Sequence, residues 1–171
     1  MNREETILDA RPVTAERFAP FGDVIQATAA ARAAMNEARF ERFDDLARVD
    51  ISAETGGQVG VSIARCRTAT KLPYRFDMVE RHPLGSQAFV PLARFSFLVV
   101  VGPADETVQA ADLRAFLFAP GQGVNYHRGV WHMPLIALKN GQEFLVIDRA
   151  GNGRNCEELV LGEAVTLQAI R

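Results

Sequence analysis

Several absences narrow what this chain can be. Its two cysteines, Cys66 and Cys156, stand far apart and lack the paired spacing of a thiolate metal site. They read as bystander thiols in a reducing compartment. The opening stretch, MNREETILDARPVTAERF, carries acidic residues and no apolar run of the secretory kind, so the expected location is the cytoplasm. Long hydrophobic runs are missing too. The longest, Phe95 to Val101, is broken by Ser96 and falls far short of the ~20 residues a membrane helix needs. Neither sign of charge dominates: 19 Lys and Arg against 21 Asp and Glu give a net charge of −2, and the basic residues are scattered. Nucleic-acid binding requires concentrated positive charge to displace counterions, so that class is excluded. No Ser/His/Asp or Cys/His arrangement suggests a covalent nucleophile.

What is present reads as one globular domain over residues 1–171. Hydrophobic residues make up 48% and charged residues 23%, ordinary values for a chain that builds its own core. Such a domain buries roughly 70% of the surface its unfolded chain exposes. Thr14 to Ala19 predicts a short helix with Thr14 as N-cap, stopped by Pro20. Ala27 to Ala38 is alanine-rich and helical by propensity alone, although its small side chains have little to bury. From Gln58 the pattern changes to a period of two, the signature of strands. Val59, Val61 and Ile63 alternate with small residues, and Tyr74, Phe76 and Met78 alternate with Arg75, Asp77 and Val79. Further strands follow at Phe89–Leu92, Phe95–Val101, Arg114–Phe118, Trp131–Leu138, Phe144–Asp148 and Val165–Ala169. Turn residues separate them, and Asn140-Gly141 reads as a hairpin. Many short strands with regular turns imply a mostly-β antiparallel sandwich or barrel with a few short helices.

Parity then locates the chemistry. Tyr74, Phe76, Met78, Glu80 and His82 share one strand face by alternation, so an apolar row ends in a carboxylate and an imidazole. Burying a carboxylate there costs free energy unless it is paired. An ordinary rim ion pair for Glu80 and a core hydrogen bond for His82 are the plain alternatives; two such groups together at a barrel mouth favour a working site. After the Pro83-Leu84-Gly85-Ser86 turn, Gln87 returns beside His82, and its amide can donate or accept. The second cluster is PGQGVNYHRGVWHMP. All three histidines are His82, His127 and His132, and two of them fall in this stretch. Either can titrate near neutral pH, with a buried structural histidine the alternative, more so for His127. His132 lies in phase with Ile136 and Leu138. A substrate carboxylate would suit a guanidinium, for which Arg65 (in phase with Val59, Val61 and Ile63) and Arg149 are candidates.

A Glu-x-His pair, a Gln five residues later and a distant Gly-x-x-His resemble the two metal-binding motifs of cupins. The resemblance puts Glu80, His82, Gln87 and His132 in the four ligand slots, with His127 where cupins usually carry proline. Two histidines, a glutamate and a neutral amide form a weaker donor set than three histidines and a glutamate. More narrowly, ERHPLGSQAFVPL and PGQGVNYHRGVWHMPL, with FAPFGDVI and FLVIDRAG, resemble the ureidoglycolate lyase family of the cupin superfamily. The resemblance implies a cupin-like antiparallel β-barrel (a double-stranded β-helix). It also implies a cytosolic homodimeric lyase that splits (S)-ureidoglycolate to glyoxylate and urea in purine-derived allantoin degradation. No organic cofactor is implied, and a divalent metal such as nickel or zinc would sit on the four ligand positions if one binds. The assignment that follows has Glu80, His82 and His132 catalytic, and Gln87, His127, Arg65 and Arg149 holding substrate. Two alternatives remain: a metal-dependent cupin isomerase or oxygenase on another small acid, and a cupin that binds a small acid without turnover.

Overall fold

A computed structural model describes residues 5–28 and 32–171. The chain runs β1 (Thr6–Pro12), α1 (Ala15–Phe18), β2 (Gly22–Ile25), β3 (Arg32–Met35), β4 (Phe40–Phe43), β5 (Gln58–Arg65), β6 (Tyr74–Arg81), β7 (Gln87–Pro91) and β8 (Phe97–Gly102). It continues with β9 (Arg114–Phe118), β10 (Gly123–Tyr126), β11 (Trp131–His132), β12 (Ile136–Ala137), β13 (Glu143–Ala150) and β14 (Glu157–Ile170). Thr14 caps α1 as its sequence position predicts, its hydroxyl accepting from the Arg17 amide at 3.3 Å. Among the described residues no helix is long and apolar enough to cross a membrane.

The strands form a cupin-like barrel. A seven-stranded sheet runs β11-β6-β14-β1-β9-β8-β12, and β11 also pairs with β8, so the sheet closes on itself. A five-stranded sheet, β2-β10-β7-β13-β5, packs against it. Pairing is antiparallel except for β1, which lies parallel to both β14 and β9.

Alternation along β8 explains how the layers stack. Leu98 and Val100 turn into one apolar cluster with Val79, Trp131, Ile136 and Leu167, all from the closed sheet and its connections. Phe97, Val99 and Val101 turn the other way, to meet Phe89, Val124, Tyr126 and Phe144 of the five-stranded sheet. A row of aromatic contacts runs through this second cluster, from Phe97 to Phe144 (5.1 Å), to Phe89 (6.3 Å), to Tyr126 (6.0 Å). Offset and edge-on ring contacts add to area burial, so truncating Phe97 or Phe144 to alanine should cost about 3–5 kcal/mol.

Several sequence expectations change here. The alanine-rich segment is no helix where it is described. Arg32–Met35 pairs with Phe40–Phe43 as a small hairpin, and residues 29–31 lie outside the described residues. Alanine propensity gave it no apolar face to bury, and packing decides. Asn140-Gly141 does turn, with Gly141 at φ 81°, yet its flanking strands do not pair: β12 belongs to the closed sheet and β13 to the other. The expected strand Trp131–Leu138 is two short pieces, interrupted around Pro134, which has no N–H to give a ladder. The apolar row of β5 faces solvent, with Val59, Val61 and Ile63 57%, 66% and 62% exposed. Finally, β6 changes phase: Phe76 and Val79 share a cluster, where β14 carries a register irregularity between Val160 and Val165.

Candidate active site

Glu80 and His132 are direct register partners across β6 and β11. Trp131 and Val79 occupy the alternate positions and sink into the closed sheet's core, so Glu80 and His132 turn together toward the five-stranded sheet. His132 is 1% exposed. Its ring stacks on Tyr126 at 4.4 Å and 17°, which ends the aromatic row, and tilts against His82 at 5.1 Å.

Hydrogen bonds set the tautomers. His132 Nδ1 lies 2.9 Å from the Val130 carbonyl, and His82 Nδ1 lies 2.6 Å from the Asn155 carbonyl. A carbonyl only accepts, so each Nδ1 carries the proton and each neutral ring presents a bare Nε2. His132 Nε2 is buried with no hydrogen-bond partner, 3.5 Å from Glu80 Oε1. His82 Nε2 faces Gln87 Oε1 at 3.2 Å, and Gln87 Nε2 donates to Asp148 Oδ2 at 3.3 Å. Acceptor atoms therefore converge from four side chains. Buried acceptors facing one another are costly unless a proton or a cation lies among them.

The electrostatics follow. When His132 takes a second proton, its Nε2–H faces Glu80 from 3.5 Å; that donor, then the charge on His132 and on a protonated His82, holds the Glu80 carboxyl below its ordinary 4.5 against the opposing effect of burial. Burial, with a smaller push from the Glu80 charge, raises the Tyr126 phenol far above its usual range. Its hydroxyl stays protonated, buried and without a partner. The Cys156 thiol donates to Glu80 Oε2 at 3.6 Å.

The donor set fits a divalent ion. Ligand atoms of Glu80, His82 and His132 lie within 4.8 Å of one another, and both imidazoles are anchored through Nδ1 to backbone carbonyls, the usual second contact of a metal-bound histidine.

The structure brings together Glu80, His82, Gln87 and His132, and leaves three sequence candidates elsewhere. His127 shares the outer face of the five-stranded sheet with Asp23 and Asn125, its Nε2 3.1 Å from Asp23 Oδ2. There it lines a separate cavity of about 220 Å³ with Arg48, Asp50, Ser86 and Arg128. Arg65 follows the exposed row of β5 outward and pairs with Glu143 at 2.6 Å, because that row covers no core. Arg149 is buried, but on the alternate face of β13 from Phe144 and Val146. Its Nη2 reaches the Thr55 carbonyl at 3.3 Å beneath residues 50–57. Parity with apolar neighbours misled for Arg65 because those neighbours are themselves outside. His132 also falls out of phase with Ile136, since the break at Pro134 resets the alternation: Trp131, Met133 and Ile136 share one cluster.

Sequence reasoning missed Tyr126, Asp148 and the Asn155 carbonyl. Alternation contained two of them: Val124 precedes Tyr126 by two, and Phe144 and Val146 precede Asp148 on the inward face.

A family model described as ureidoglycolate lyase matches residues 5–168. A protein named ureidoglycolate lyase from Burkholderia mallei (strain NCTC 10229) is 48% identical over 160 residues, 94% of this chain and 92% of its own. Proteins of the same name from Chelativorans sp. (strain BNC1) and Pseudomonas syringae pv. syringae (strain B728a) are 48% and 44% identical. They cover 90% and 91% of this chain, and 92% and 91% of their own lengths.

Proposed function

The chain belongs to the ureidoglycolate lyase family, and from that premise we propose that it splits ureidoglycolate into glyoxylate and urea. The observation that carries the mechanism is the buried, unpartnered Nε2 of His132 facing an ionised Glu80.

The reacting carbon of ureidoglycolate bears a hydroxyl, a carboxylate and a ureido nitrogen. Removing the hydroxyl proton lets the C–O electrons form the aldehyde carbonyl and expel the nitrogen, which takes up one proton. One proton leaves oxygen and one arrives on nitrogen, so a single imidazole can serve both steps. His132 Nε2 takes the first proton and returns it to the departing urea. Glu80, held as a carboxylate, stabilises the imidazolium between the two steps. Tyr126 donates its free hydroxyl to a substrate oxygen, and Gln87 with His82 positions the rest. This reading assigns no step to Arg65, paired with Glu143 on an outer face, or to Arg149, which reaches Thr55 on the alternate face of β13.

A second reading is favoured by the converging acceptors. Glu80, His82, His132 and Gln87 would hold a divalent ion, which when bound supplies Lewis-acid polarisation of the substrate oxygens. His132 is then a ligand, and proton transfer passes to another group. The same reaction in ureide catabolism, in a cytosolic homodimer formed by a single domain of residues 1–171, completes the proposal. The exposed apolar row on β5 supports the second copy.

The test is an assay of glyoxylate and urea from ureidoglycolate, with and without a strong chelator. Equal release of both products unaffected by chelation is expected from the metal-free mechanism. Loss on chelation with recovery on adding a divalent ion selects the second reading, and no turnover in either condition overturns the proposal.

A further inference from the structure

We propose that Asp148 is a positioning residue: it decides which end of the Gln87 amide faces His82. Its activity readout rests on the lyase reading above, while its spectroscopic readout does not.

The two ends of a glutamine amide have the same shape, so only hydrogen-bond partners choose between them. Gln87 has two such partners. His82 Nε2, 3.2 Å from Oε1, can accept or donate according to its protonation and so accommodates either end. Asp148 cannot. As a carboxylate it only accepts, and its Oδ2 lies 3.3 Å from Gln87 Nε2. A half-turn of the amide would set oxygen against carboxylate oxygen in a partly buried site, losing a charge-assisted bond and adding repulsion. Asp148 therefore commits the NH2 end to itself and the oxygen end to the site.

Sheet register makes the arrangement rigid. Asp148 and Gln87 are direct partners across β13 and β7, so their side chains leave the sheet side by side. On the opposite flank Asp148 pairs with Gly60 of β5, and a Cβ there would sit 3.1 Å from Asp148 Oδ1. With no side chain at Gly60, nothing crowds the carboxylate from that flank. The path runs from Asp148 to Gln87 to His82 to the Asn155 carbonyl, a chain of contacts whose two ends can only accept, and Asp148 is the end that touches Gln87.

The test is a double-mutant cycle on the full chain with Asp148→Ala, Gln87→Ala and the combination, read by ureidoglycolate cleavage. Alongside it, the Gln87 side-chain amide is observed by NMR in protein carrying 15N-glutamine, its signals identified by their absence from Gln87→Ala. Asp148→Ala should lower turnover by about tenfold in the parent and by nothing further in the Gln87→Ala background. Its Gln87 amide signals should move and exchange with solvent faster. Asp148→Asn, which keeps the shape and one accepting oxygen, serves if the alanine variant does not fold, and should retain more activity. The same loss in both backgrounds, or Gln87 amide signals unmoved when Asp148 is replaced, overturns the proposal. A parent protein that does not cleave ureidoglycolate defeats the lyase reading alone, and the amide signals still decide the role of Asp148.

Discussion

Among the described residues two histidine–carboxylate pairs of nearly equal separation stand on opposite faces of the five-stranded sheet. His132 lies 3.5 Å from Glu80 between the sheets, and His127 lies 3.1 Å from Asp23 on the outside. Distance alone would rank the outer pair first. Surroundings reverse the ranking. Asp23 is already occupied, accepting from the Arg48 amide and from Asn125, and the His127 side chain is 39% exposed. Beside it Arg128 is neutralised by Asp50 at 2.7 Å. In the inner pair His132 is buried against the Tyr126 ring while Glu80 is half-buried, and an unpaired nitrogen on His132 lies with an unpaired hydroxyl on Tyr126. Unmet hydrogen-bonding capacity in a dry place is what a substrate can satisfy. His127 Nε2 is shielded and unpaired as well, so the two pairs differ in what surrounds that nitrogen: the Asp23 oxygen it faces already accepts twice, whereas His132 has an orphan hydroxyl on the ring stacked against it.

The sharpest way to break this comparison is to delete each imidazole in turn. His132→Ala should lower glyoxylate release on the order of a thousandfold, while His127→Ala should change it less than about twofold. Comparable losses from both would place the outer cluster in the reaction. Tyr126→Phe tests the orphan hydroxyl. Activity should fall by about tenfold, and the melting temperature should hold or rise slightly, because an unsatisfied buried group has been removed. A lower melting temperature with full activity would make the hydroxyl structural.

A smaller effect concerns acid. The Glu80 carboxyl is depressed in the fold, so its ionised form contributes stability that is complete above its ordinary 4.5 and is lost as pH falls through the lower folded-state value. The difference in melting temperature between the parent and Glu80→Gln, followed from about pH 7 to 3, should be steady at first and shrink in the acid range. A difference that does not change with pH would detach Glu80 from His132. The smallest expected effect is Arg128→Ala. The Arg128 hydrogen bond is the main cause holding the Asp50 carboxyl low, so its removal should bring that carboxyl back toward 3.8. At this exposed pair, stability should move by less than about 0.5 kcal/mol.

Local patterns were legible where one rule acted alone. Alternation in Phe144–Asp148 and Arg114–Phe118 gave strands, and Thr14 before an apolar helix gave a cap. The pairing of Glu80 with His132 was readable as convergence, because a carboxylate and imidazoles at strand ends have few places to go. What failed was the sign of a face. Parity tells which residues share a side, and for β5 the shared side was solvent. For β6 a phase break opposite the β14 irregularity moved residues between clusters, a break that only pairing with a strand distant in sequence reveals, while in the Trp131–Leu138 stretch the break sits at Pro134. Glutamine orientation at position 87 depends on Asp148, 61 residues on, a dependence that no single stretch of chain contains.

The seam of the closed sheet is β11, only two residues long, and one of the two is His132. Such a short stitch frays more readily than the long ladders beside it. Whatever loosens it uncouples β6 from β8 and at the same moment swings the imidazole away from its partner. Inactivation on warming should therefore precede collapse of the rest, with amide protons of Trp131 and His132 exchanging ahead of those in β8.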